Sequence, residues 1–223
     1  MRNFKVIGIA LVMAFAANAV AVSGAQAATP TIVAGAIGTY SGEQVGTAEL
    51  TYGNRALNCK VARAVGPTQT SQISLTIVPE YRECSTTPVL GVSFSLTVTM
   101  NGCDYLATNL KHTETAYTGD VSVICPPGKK VELHLYTNQT ENSEVCTMTV
   151  EEDQTDVSGT TITNVAGSPD DLLLHVSMRT TIEKHGSILC GSETGTAELH
   201  GTGTARAFDE TGKQVSLTAI TDA

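Results

Sequence analysis

The stretch Gly91–Tyr105, GVSFSLTVTMNGCDY, decides what kind of fold this chain can adopt. Val92, Phe94, Leu96, Val98 and Met100 alternate without error against Gly91, Ser93, Ser95, Thr97 and Thr99. A period of two with β-branched residues marks a strand with one face buried and the other in water. Asn101-Gly102 then reads as a two-residue type I′ turn, because both central positions of that turn need positive φ. In the hairpin this predicts, Met100 faces Cys103 and Val98 faces Tyr105, and cross-strand partners share a face. Cys103 and Tyr105 therefore join the apolar side, while Asp104 pairs with Thr99 on the wet side. Cys103 reads as buried and bridged, not as a reactive thiol on a loop.

The same period recurs along the chain. Leu57, Cys59 and Val61 alternate, as do Ile73, Leu75 and Ile77 before Pro79. Val121, Val123 and Cys125 lead into a Pro-Pro-Gly turn, and Val131, Leu133 and Leu135 alternate with Glu132, His134 and Tyr136. Cys146, Met148 and Val150 follow the same rule, and Val215, Leu217 and Ala219 close the chain. Beyond the first 27 residues nothing sustains an i, i+3, i+4, i+7 pattern over three turns. The fold expected is all-β, antiparallel and sandwich-like, stapled by disulfides. Ala107–Asp120, ATNLKHTETAYTGD, reads either as a long hairpin loop or as a boundary splitting residues 28–223 into two β lobes. The pentapeptide GTAEL occurs at 46–50 and again at 195–199, which suggests pseudo-symmetric strands.

Residues 1–27 have the order of a secretory leader: Arg2 and Lys5, then an apolar run, then small residues at Ala25 and Ala27. Cleavage after Ala27 is expected, and no second apolar run of spanning length follows, so no membrane span remains in the mature chain. The leader takes two of the 13 basic residues and none of the 22 acidic ones, leaving 11 positive against 22 negative charges. Such a chain is repelled by nucleic acid and by anionic membranes. All six cysteines, Cys59, Cys84, Cys103, Cys125, Cys146 and Cys190, fall after the leader. An even count in an exported chain reads as three disulfides. No C-x-x-C or H-x-x-x-H spacing offers a zinc alternative. Among the fifteen pairings, Cys125–Cys146, Cys84–Cys103 and Cys59–Cys190 are expected. The bridges matter because the mature region has no Trp and only Phe94 and Phe208, so its core is aliphatic and thin.

Catalytic motifs are scarce. GVSFS misses the last glycine of a nucleophile elbow. Five histidines, 112, 134, 175, 185 and 200, offer bases, of which His134 and His175 sit on alternating strands as surface or half-buried side chains. Glu151, Glu152, Asp153 and Asp156, with Asp170 and Asp171, offer carboxylates, but a chain without Trp is a poor platform for a sugar ring. These acids read as solvated loops. EEDQTDVSG lacks the ordered ligands of a calcium loop, which leaves at most a weak site at Glu151, Asp153 and Asp156. HGTGTARAF lacks the third glycine and the helix of a dinucleotide site. Asn138-Gln139-Thr140 is a formal sequon. No cofactor, metal or catalytic residue is therefore assigned.

The cysteine contexts TVTMNGCDY, VSVICPPG, EVCTMTV and ILCGSETGTAEL, with the ending TGKQVSLTAI, resemble small secreted proteins of soil actinobacteria. The resemblance runs from about Leu57 to Ile220. It implies an exported, cysteine-bridged β protein and lends no catalytic residues. Two functions are expected: a non-catalytic module that contacts an extracellular or cell-wall partner, or a small secreted hydrolase using histidine and carboxylates on the acidic loops. A pocket joining histidine to a carboxylate favours the second, and flat faces with scattered charges favour the first.

Overall fold

The structure, a computed structural model, describes residues 29–53, 55–86, 94–137, 143–150, 154–168, 170–186, 190 and 194–221. The expected leader, the sequon at Asn138, and Glu151, Glu152 and Asp153 lie outside the described residues. Among those described there is no α-helix, and every strand pairing is antiparallel.

Four long strands organise the molecule: β4 (Arg55–Thr68), β5 (Leu75–Thr86), β12 (Asp171–Gly186) and β13 (Thr194–Asp209). β4 pairs with β5, and β12 pairs with β13 from Asp171↔Arg206 to Glu183↔Thr194. Shorter strands join these two ribbons at two levels. In the first tier, β2 (Gly38–Gln44) bridges β4 to β13, while β7 (Asp104–His112), β8 (Tyr117–Ile124) and β11 (Thr155–Asn164) bridge β5 to β12. In the second tier, β3 (Ala48–Tyr52) takes the place of β2. There β6 (Ser95–Thr99), β9 (Val131–Tyr136) and β10 (Glu144–Val150) take the other side. Each tier is thus a closed ring of strands: the two walls of a sandwich joined along both edges.

Side chains obey the ring. Leu172, Leu174, Met178, Thr180 and Ile182 of β12 are buried, whereas His175, Arg179 and Thr181 between them are exposed. β8 and β9 repeat the pattern, with Val121, Val123, Val131, Leu133 and Leu135 inside. Apolar inside and polar outside is the inverse of a membrane barrel, whose outward band faces lipid. No helix among the described residues is long and apolar enough to cross a membrane.

Where the tiers meet, the long strands change phase. β4 turns Leu57 and Cys59 inward and then buries Gly66 and Thr68, and β5 turns Leu75 and Ile77 inward and then Cys84 and Thr86. The switch in β5 falls at Glu83, whose φ is +51°. β7 shifts likewise between Ala107 and Leu110, at Asn109 with φ +52°. Inserting one residue into a ladder is how a strand exchanges its faces. One end of the first tier is covered by a two-stranded sheet of β1 (Pro30–Ala34) and β15 (Leu217–Thr221), which buries Ile32, Leu217 and Ala219. Asn164 fixes it by bonding both polar groups of Ala219, donating from Nδ2 to the carbonyl and accepting the N–H, each at 2.9 Å. A short β14 (Gln214–Val215) pairs with the end of β13.

The Asn101-Gly102 turn forms as expected, with φ of +53° and +83° and the Cys103 N–H donating to the Met100 carbonyl at 2.8 Å. It does not join a hairpin. β6 pairs with β5 and β9, β7 pairs with β5 and β8, and both run antiparallel to β5 along the same edge. The turn is a kink between two tiers. Val98 therefore faces Leu133, and Asp104 faces Ile124. Ile73, expected in the strand with Leu75, lies outside it and is exposed. Ala107–Asp120 folds as the β7–β8 hairpin. The two GTAEL copies end at one ladder position, Leu50↔Leu199, on neighbouring strands.

Cys103 is fully buried and bridged, as its phase predicted, but all three expected pairings are replaced: the bonds are Cys59–Cys84, Cys103–Cys125 and Cys146–Cys190. Cys59 and Cys84 are direct cross-strand partners, with Cα atoms 3.9 Å apart. Cys103 and Cys125 occupy the position next to Asp104↔Ile124, at 4.1 Å. Cys125 cannot reach Cys146, because β8 lies between β7 and β11 and β10 between β9 and β12. Cys84 sits opposite Leu96 rather than at the turn, and Cys146 holds the link between β12 and β13 through Cys190. Peptide mapping without reduction should return these three pairs. The double substitution Cys59→Ala with Cys84→Ala should cost about 2–4 kcal/mol, read from urea unfolding midpoints.

Candidate functional site

Among the described residues, an interruption in the β12 ladder lies beside a polar hollow in the wall. β10 pairs with β12 at Ile182–Gly186 and β11 pairs at Leu172–Val176, so among the described residues no strand pairs with positions 177–181 on that edge. The gap follows from the register shift in β11 between Asp156 and Thr160. Two side chains stand in for the missing strand. Asp156 Oδ2 accepts the Arg179 N–H at 2.6 Å, and Gln154 both accepts the Thr181 N–H and donates to the Thr181 carbonyl. Unpaired backbone groups are costly in a wall, so these contacts complete it.

Beside the patch lies a hollow of about 340 Å³, lined by Asp156, Gly159, Ser177, Met178, Arg179, Glu198 and His200. The β12–β13 register puts Ser177 opposite His200 and Arg179 opposite Glu198. Ser177 Oγ lies 3.1 Å from His200 Nδ1, and His200 Nε2 lies 3.7 Å from Glu198 Oε2. Arg179 Nε lies 3.7 Å from the other Glu198 oxygen. With a proton on Nε2 facing Glu198, Nδ1 accepts from the serine hydroxyl: the order of nucleophile, base and orienting acid. Acyl transfer also needs donors aimed at an oxyanion. On this edge the N–H groups of Arg179 and Thr181 are already spent on Asp156 and Gln154. Both charged partners are more than half exposed, so water screens their fields.

The same outer face continues as a row of cross-strand polar pairs. His175 Nδ1 meets Thr202 Oγ1 at 2.9 Å, and Arg206 grips Asp171 with two bonds of 2.9 and 3.2 Å. The guanidinium holds the Asp171 carboxyl below its ordinary value of 3.8. His134 sits between Glu132 at 3.5 Å and Glu144 at 3.3 Å. Glu144 is held low by hydrogen bonds from Thr147 first and His134 second, against partial desolvation. His185 lies 3.7 Å from Glu183, and His112 packs on the Tyr117 ring. Of the acidic residues singled out above, Asp156 patches the ladder and Asp171 holds Arg206. Among the described residues no three of His, Cys, Asp and Glu cluster as metal ligands, and all six cysteines are bridged.

Sequence reading had the histidines but missed Ser177, Arg179 and Glu198 as their neighbours. The signal lay in two alternating runs, LLHVSMRT and TAELHGTG, whose register becomes readable only once their connecting turn is placed.

Two tests follow. Gln154→Ala and Asp156→Ala should each speed amide hydrogen exchange, at Thr181 and Arg179 respectively, without changing exchange in the β4–β5 ribbon. Asp171 is held below 3.8, so its contribution is present above that pH and is lost as pH falls through the lower folded value. Asp171→Asn should therefore flatten the acid limb of stability below pH 3.8, in urea midpoints taken from pH 7 to 2. Compared with known proteins, the chain matches no protein-family model, no curated protein and no solved structure.

Proposed function

We propose that this protein is a secreted, non-catalytic module that recognises a polar extracellular or cell-wall partner through its outer wall. The observation that carries the reading is the row of polar pairs on the outer face of β12 and β13: His175/Thr202, Ser177/His200 and Arg179/Glu198 in succession, with Asp171/Arg206 beyond the intervening Leu173/Thr204. Two rigid ladders present donors and acceptors at fixed spacing, which suits a hydroxyl-rich polymer. Three disulfides suit an oxidising compartment outside the cell. The cysteine contexts, similar to those of secreted actinobacterial proteins, agree with a bacterial source and with export by the leader. The acidic balance keeps the wall from binding anionic surfaces indiscriminately.

The Ser177–His200 contact favours a second reading, a secreted hydrolase. One pair of assays separates the two. Under the binding reading the purified protein co-sediments with insoluble peptidoglycan sacculi. Arg179→Ala with His175→Ala then weakens retention about tenfold, the effect of losing roughly 1.4 kcal/mol of polar contacts. Failure of the wild type to sediment overturns that reading. Under the hydrolase reading p-nitrophenyl acetate is turned over and Ser177→Ala lowers the rate at least about 100-fold, the scale of a lost general-base pair.

A further inference from the structure

The interior of the first tier is underfilled. An eight-stranded closed sheet is just wide enough for its inward side chains to fill it, or to hold one small ligand when they do not. Here one ladder row crosses five strands as Leu172–Ala205–Gly42–Ala64–Pro79. Its three central positions carry almost no side chain. On β13 the inward positions Gly201 and Gly203 continue the deficit. A Cβ built on Gly201 would meet only the Ala48 Cβ, at 4.0 Å. Beside these small residues, Ile77, Leu174 and Leu199 lies a partly open cavity of about 110 Å³. A second space of about 50 Å³ adjoins it in the other tier, and Tyr81, Tyr105, Ala48 and Leu199 line both. An apolar cavity of roughly 150 Å³ is enough to bind benzene.

Among the described residues, three polar groups around this space have hydrogen-bonding capacity left unused. The Tyr81 hydroxyl donates to the Tyr105 oxygen at 3.1 Å, which leaves the Tyr105 O–H, on a side chain only 8% exposed, to donate elsewhere. Gln44 uses Nε2 on the carbonyls of Cys59 and Gly46, while its buried Oε1 has no protein partner. Thr180, 4% exposed on the wall of the smaller space, likewise has an unpartnered Oγ1. Tyr40, by contrast, is satisfied: its hydroxyl donates to the Thr76 carbonyl at 2.6 Å. Glu43, Arg63 and His200 border the cavity from positions that alternate with the inward ones, so their charges sit on the outer face. Burial holds the Tyr105 phenol above its ordinary value, so it stays a neutral donor at physiological pH.

We infer that this cavity is a binding site for a small uncharged molecule with an apolar ring-sized body and one hydroxyl group. The body fills the space beside Gly42 and Gly201, and the hydroxyl accepts from Tyr105 and donates to an orphan acceptor such as Gln44 Oε1. This goes beyond the outer-wall reading and stands or falls separately from it.

The test uses the intact, oxidised protein with p-cresol and toluene as probes, followed by calorimetric titration and by the methyl resonances of Leu174 and Leu199. Wild type should bind p-cresol more tightly than toluene. Tyr105→Phe should weaken p-cresol about 3- to 10-fold, the worth of one neutral hydrogen bond, and leave toluene unchanged. Gly201→Val should abolish binding of both while keeping or raising the melting temperature. If neither probe perturbs the wild type, or if Tyr105→Phe weakens both equally, the site as inferred is wrong. If Gly201→Val fails to fold, the Tyr105→Phe comparison still decides.

Discussion

Everything in this molecule depends on the ladder closing. A β-sheet wall leaves N–H and C=O groups unpaired at its edges, and these either bind water or recruit another chain. Here the two ribbons β4–β5 and β12–β13 are joined on both sides and at two levels, so the wall turns back on itself. With only two phenylalanines after residue 27 and no tryptophan, the large buried rings are few: Tyr40, Phe94, Tyr105 and Tyr117 among the described residues. Closure offsets that poverty by satisfying the backbone, and the disulfides hold ladder positions rather than bridging distant layers. Where closure fails, at positions 177–181 of β12, the chain spends two side chains on repair. The polar hollow exists because of that repair.

The closed form also explains why the polar residues are arranged as they are. Long, unbroken register on β12 and β13 turns sequence alternation into rows of facing pairs, each held at ladder spacing. A row of this kind is stiff, and stiffness reduces the entropy lost when a partner binds. The same geometry sets the distance between Ser177 and His200, so their contact is a product of register as much as of chemistry. Inside, the reverse holds: glycine and alanine at inward positions leave the ring wider than its contents.

Much of this architecture was legible in the residues. Phe94, Leu96, Val121, Val123, Leu133 and Met148 are all buried on the faces their alternation assigned. Cys103 is buried and bridged, because a strict period of two fixes a side without knowing a partner. Partners were the part that could not be read. Asn101-Gly102 adopts the expected dihedral angles, yet the chain around it continues along β5, since local turn chemistry fixes a bend and not what flanks it. The phase changes at Glu83 and Asn109 had no signal, because neither is a glycine and both hold φ values that most side chains avoid. Once those shifts and that turn were misplaced, the disulfide pairing followed them. Ser177 and Glu198 were hidden for a related reason: each looks like an ordinary solvent-facing residue until its opposite number is known.

The pairing of β1 with β15 carries a consequence of its own. Pro30 lies beside Thr221: apart from the isolated bridge between Ile32 and Gln72, the first described strand finds its partner in the last. A chain made from its N-terminus onward cannot seat this cap until β15 has been made. Until then Ile32 and Leu217 are uncovered, and the mouth of the first tier stands open. Completion of the fold thus waits for β15, and a chain stalled before it would carry a loosely held β1 strand for proteases to find. Pro30 and Thr221 also lie side by side, so a short peptide joining them would close the described residues into a ring, with new ends cut at an outer turn such as Asp209–Lys213.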